Sequence, residues 1–219
     1  MFSSLTKKET YTKYFKSLKF ALYCTTHPLD GYWDLTHEKR GTLAAANTIL
    51  FLTVLARIMK LQYTSFIFNK VYWEDINIFL YIASILFPLA LWCVGNWALT
   101  TLFEGKARLK QIYMATCYCM IPYPLIQFPL IVFSNGVTVD EAEFHSILSA
   151  FSLVWAVFLI IFAMMQIHEY KLGKTLFFCV ATIFAMLVEV FILLLFFSMI
   201  SQGVSYFISM GREIIFRMQ

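Results

Sequence analysis

Residues 175–201 read TLFFCVATIFAMLVEVFILLLFFSMIS, and Glu189 is the one charged side chain in the run. A helix needs about 20 apolar residues to cross a hydrocarbon core of roughly 30 Å, so this stretch is long enough to span. The segment Phe191-Ile192-Leu193-Leu194-Leu195-Phe196-Phe197 is apolar at every position. A strand of a membrane barrel would alternate instead. Backbone groups in lipid must satisfy one another within the segment, which leaves the helix.

Working outward, four more runs meet the same requirement: residues 42–59, 76–103, 111–134 and 144–167. The composition agrees. Of 219 residues, 60% are hydrophobic and 14% charged, with a mean hydropathy of +0.72. Soluble domains carry about 45–50% apolar and about 25% charged residues, so a soluble, disordered or nucleic-acid-binding chain is excluded. The predicted fold is all-α: a polytopic membrane protein with five transmembrane helices and a cytoplasmic amphipathic N-terminal segment. Residues 1–41 form that segment, 42–201 the membrane domain and 202–219 an extracytoplasmic tail.

Lys and Arg concentrate on the cytoplasmic side of membrane proteins. Twelve of the 17 fall before the first span and in the second and fourth connections, while the third connection holds three acids and no base. The N-terminus is therefore predicted to be cytoplasmic and the C-terminus outside, in the cell membrane. Basic residues precede the short apolar stretch 20–24, which does not suit a cleavable signal. Residues 7–23 read as a surface helix, with Phe15, Leu18 and Leu22 at helical spacing. They could dip into the headgroups or pack on the rest of the chain.

Within the spans, polar residues are informative. A carboxylate at the depth of Glu189 costs several kcal/mol, so it is expected to be protonated, paired or facing water. Asn47, Asn96 and Gln127 are its candidate partners. Glu189, Asn96 and Gln127 mark either a proton or cation path or plain interhelical hydrogen bonding. Pro122, Pro124 and Pro129 in the third span, and Pro88 in the second, predict kinks.

The cytoplasmic side carries three segments of distinct character. The first runs from His27-Pro28-Leu29-Asp30-Gly31-Tyr32-Trp33-Asp34-Leu35 to His37-Glu38-Lys39-Arg40-Gly41, and Pro28 and Asp30-Gly31 read as turns. The second joins Asn96-Trp97 to Gly105-Lys106, Tyr118 and Pro122-Tyr123. The third is His168-Glu169-Tyr170-Lys171-Leu172-Gly173-Lys174-Thr175. His168-Glu169 begins like a metalloprotease motif, but Leu172 stands where the second histidine would be, and no nucleophile elbow occurs. His27, His37 and His168 are of metal-ligating type, yet interfacial histidines more often make ordinary hydrogen bonds. No catalytic residue, metal or other cofactor is expected. The five cysteines suggest neither a disulfide framework nor a zinc site.

In these three segments the chain resembles the Yip-one domain family, in particular its short bacterial, Gram-positive-type members, over roughly residues 20–200. The resemblance implies five spans, a cytosolic N-terminus and a non-enzymatic accessory or scaffold subunit, often associated with ABC-type transporters. Eukaryotic members engage Rab GTPases through a long N-terminal region; only about 40 residues precede the first span here, so Rab binding is not expected. Expected partners are the lipid bilayer and ABC transporter membrane subunits or other membrane proteins, with no nucleic acid. Asp30, Tyr32, Trp33, Asp34, Glu38, Lys39, Arg40, Lys106 and Lys174 are the candidate contact residues, because aromatics and arginine dominate interface energetics; the other reading is that they anchor the chain at the headgroups and stabilise its own loops. The alternative is a small-solute or ion channel acting as an oligomer, with Glu189 on its path.

Overall fold

The computed structural model describes residues 2–65, 76–103, 105–136, 138 and 141–218. Lys70, Glu104 and Asp140, which entered the reading of the connections, lie outside them. Eight helices follow in order: α1 (Phe2–Thr26), α2 (Pro28–His37), α3 (Leu43–Tyr63), α4 (Ile78–Leu102), α5 (Leu109–Cys119), α6 (Pro122–Ser134), α7 (Ala142–His168) and α8 (Leu172–Met218). Among the described residues, five stretches are long and apolar enough to cross a membrane: α3, α4, the α5–α6 pair, α7 and residues 172–213 of α8.

The α5–α6 pair is the most buried of the five. It packs against α3, α4 and α7, so the third span forms the centre of the bundle. The helix breaks there at Met120 and Ile121, and Pro122 opens α6. A proline at a first helical position lacks only a donor that would have no intrahelical partner anyway. The expected kink is thus a local interruption, with Met120 and Ile121 still in right-handed helical conformation. The core around it joins Ile112, Tyr118, Ile49, Leu159 and Met164.

Helix α1 resolves the two readings of the N-terminal segment into two faces. Ser17, Phe20, Ala21 and Cys24 are buried, at the spacing of one helical stripe. Phe15 and Leu22 are exposed and Leu18 is half-buried. Burial raises the Cys24 thiol to about 12, so it packs as an uncharged side chain.

The first motif corrects the sequence reading. Pro28 and Gly31 belong to a helix, not to turns: Pro28 occupies its first turn and Gly31 lies inside it. A β-carbon on Gly31 would stand 2.8 Å from Cys24 Cα, so glycine is there to let α1 and α2 approach. The C-terminal end departs as well. Helix α8 runs unbroken through Gly203 and Gly211 to Met218, where a span ending at 201 and a separate tail were expected. At 1.5 Å per residue its 47 residues extend about 70 Å, more than twice a hydrocarbon core. Its last turns stand clear of the other helices: among the described residues nothing lies within 4 Å of a β-carbon position at Gly203 or Gly211.

Candidate functional site at one end of the bundle

The three motifs come together at one end of the bundle, except that Pro122-Tyr123 of the second lies inside the third span rather than near the boundary expected for it. Helix α7 stops there in a left-handed residue, Glu169 (φ 57°). The N–H of Tyr170 donates to Met165 O at 3.0 Å, closing the helix end in a Schellman arrangement. That geometry turns Glu169 toward its neighbours. Its carboxylate accepts from Lys106 of the second motif and lies 3.5 Å from His37 Nε2 of the first. The hydrogen bond from Lys106 holds the Glu169 carboxyl below its ordinary value, and His37 adds to the effect.

Beneath this surface cluster the second and third motifs are joined by buried polar contacts. His168 Nε2 is 3.0 Å from Asn96 Oδ1, and Asn96 Nδ2 donates to Thr182 Oγ1 at 3.2 Å. Tyr170 OH donates to the carbonyl of Phe103 at 3.0 Å. Gly105 fills the remaining space. A β-carbon there would lie 2.5 Å from Thr100 Cβ and 2.9 Å from His168 Nδ1. A second set of bonds fixes α1 and the start of α3 to α5: Tyr118 OH and Ser17 Oγ are 2.6 Å apart, and Thr42 N donates to Ser17 Oγ at 3.0 Å.

The candidate contact residues divide in three. Asp34, Glu38 and Arg40 form one charged group, with Arg40 bonded to Asp34 at 3.1 Å and to Glu38 at 2.5 Å. Beside it the indole of Trp33, 43% exposed, stacks on His37 at 3.7 Å between centroids. Lys106 joins this group through Glu169, while Asp30 and Lys39 are exposed on the same segment. Lys174 stands apart, 4.1 Å over the ring of Tyr170. Tyr32 is not a contact residue. It is fully buried in the core, because its position on α2 faces the seam with α1 and α5. Burial pushes its hydroxyl well above the usual tyrosine value.

Sequence reasoning missed Glu169 and His37 as members of this cluster. The usable signal was charge: an acid closing the fourth span and a lysine closing the second lie at the same predicted boundary. His168 is buried on Asn96, whereas His37 meets Trp33 and Glu169, so the three histidines do not converge. Among the described residues no three metal-capable side chains come together.

The intramembrane candidates occupy separate places. Gln127 Nε2 donates to Ser149 Oγ and Ser152 Oγ, at 3.1 and 3.0 Å. Asn47 Oδ1 accepts from Tyr113 OH at 2.7 Å. Asn96 serves His168 and Thr182, so none of the three expected partners bonds to Glu189. Glu189 lies instead against Gly95, where a β-carbon would be 3.0 Å from its Oε1, and its buried Oε2 has no hydrogen-bond partner among the described residues.

A family model, the Yip1 domain, matches residues 22–196, which takes in all three motifs and all five spans up to the middle of α8. No curated protein matches the chain, and no solved structure does.

Proposed function

The chain belongs to the Yip1 domain family, and from that premise we propose that it is a non-enzymatic membrane accessory subunit that docks on another membrane complex through its motif end. The observation that carries this reading is the Trp33–His37 stack beside the Asp34–Arg40–Glu38 group. An exposed indole costs little conformational entropy to immobilise when its neighbours already hold it, and aromatics with arginine supply most interface energy. The Lys106–Glu169 bridge and the buried Asn96–His168 bond support that surface from below, so it is presented on a rigid base.

An ABC-type transporter of a bacterial cell membrane is the partner class, on the family resemblance. The lysine and arginine bias supports a cytoplasmic motif end, the side on which such a transporter exposes its nucleotide-binding subunits. The sequence carries no nucleotide-binding loop of its own.

The test is affinity purification from native membranes in mild detergent, with mass spectrometry of what accompanies the protein. Stoichiometric transporter subunits are expected with the wild type and are lost from the variant carrying Trp33→Ala and Arg40→Ala, while that variant remains folded. A homo-oligomer alone would overturn the reading in favour of an oligomeric channel.

A further inference from the structure

Helices α4 and α7 are tied together at the motif end by Asn96 and His168. Farther along they stand apart, and between them lies a cleft of about 550 Å³ to which all five spans contribute. Leu153 and Ile160 of α7 and Met186 of α8 give it apolar walls. Six polar side chains interrupt that lining; Thr53, Ser84 and Thr116 each donate to a carbonyl of their own helix, which leaves Arg57, Tyr123 and Trp92.

Arg57 of α3 is the first. Its guanidinium reaches to within 5.9 Å of the centre of the Tyr81 ring, in the first turns of α4, and it makes no ion pair with an acid among the described residues. A cation inside a span is costly unless an anion or water meets it. Tyr123 is 6% exposed and its hydroxyl has no hydrogen-bond partner among the described residues. Trp92 Nε1 is buried and unpartnered in the same way. A buried donor without an acceptor costs its full desolvation. The cleft therefore calls for an apolar chain, an anion at Arg57 and acceptor oxygens for two donors.

We propose that this cleft binds an anionic glycerophospholipid of the bilayer. Its phosphate sits at Arg57, an acyl chain lies between α4 and α7, and its ester carbonyls are the acceptors open to Trp92 and Tyr123. A bilayer lipid enters sideways through the gap between these two helices, so no aqueous path is needed. Apart from Tyr123, which the second motif contributes, this site uses no residue of the three motifs.

The full-length protein, purified and delipidated in detergent, is titrated with phosphatidylglycerol, with phosphatidylcholine of the same chains and with glycerol phosphate, and bound lipid is read by native mass spectrometry. Phosphatidylglycerol is expected to bind about tenfold more tightly than phosphatidylcholine: both present the same phosphate, but choline brings a second cation beside Arg57. Arg57→Gln removes that preference, Leu153→Trp blocks both lipids, and Tyr123→Phe weakens both. Lys106→Ala, at the motif end, changes neither. Glycerol phosphate, which has no chain to bury, does not bind. Equal binding of the two lipids by the wild type, a preference that survives Arg57→Gln, or saturable binding of glycerol phosphate alone would each overturn the proposal.

Discussion

Glu169 accepts a hydrogen bond from Lys106, a residue 63 positions earlier in the chain. The pair ties the connection after α4 to the end of α7, and His37 of α2 reaches the same carboxylate. One acid thus gathers all three motifs. The side chains are largely exposed, so the contact sets the relative position of the segments more than it stabilises the fold.

Reversing the charges tests that positioning role. Lys106→Glu alone and Glu169→Lys alone place like charges together and are expected to release most of the accompanying partner in the purification. The double reversal should recover it. Failure of the double variant to recover the partner, with both single variants folded, would show that the pair itself is dispensable.

Acidification offers a second test. A carboxyl held below its ordinary value stabilises the folded arrangement above the unfolded value, about 4.3, and that contribution is lost as pH falls through the lower, folded value. The Lys106–Glu169 bridge is therefore expected to persist down to the ordinary glutamate value, about 4.3, and to break only in stronger acid. Infrared titration of the carboxylate band, compared with Glu169→Gln, isolates the group. Lys106→Ala should move its titration upward. An unchanged titration in Lys106→Ala would contradict the assigned cause.

Glycines at close approaches should be intolerant, and exposed ones should not. Gly105→Ala and Gly31→Ala each force a β-carbon within 3 Å of neighbouring atoms, and overpacking of this kind costs about 1–3 kcal/mol. Gly203→Ala meets nothing within 4 Å and should raise helix stability by about 0.5–1 kcal/mol at most. Thermal unfolding in detergent compares the three. Equal tolerance at Gly105 and Gly203 would contradict the packing described.

Much of this architecture was legible in the sequence because lipid imposes length. The five spans follow from apolar runs interrupted by charge, and the three motifs stand out as the polar segments between them. Other features were hidden for physical reasons. Asp30-Gly31 suits a turn locally, and only the facing backbone at Cys24 reveals why a glycine stands inside a helix there. Tyr32 and Trp33 look alike in a list of interfacial aromatics, but successive positions on α2 bury one and expose the other. Glu169 could be paired with Lys106 only once the ends of α4 and α7 were brought together. The span expected to end at residue 201 continues as one helix through Gly203 and Gly211 to Met218.

The buried polar contacts of the spans should differ in cost. Asn96→Ala removes an acceptor for His168 and a donor for Thr182, so a loss of about 1–2 kcal/mol is expected. Glu189→Gln keeps the shape against Gly95 and introduces no charge, and it should leave both stability and partner binding unchanged. Loss of function in Glu189→Gln with normal expression would instead assign Glu189 a proton or cation role.

The most direct test of docking through the motif end is a photo-cross-linking amino acid at position 33 in native membranes, with position 191 on the exposed face of α8 as the control. Position 33 should give one discrete adduct with a subunit of an ABC-type transporter, and position 191 should not. Adducts only with lipid or with a second copy of this chain, or the same adduct from both positions, would contradict docking through the motif end.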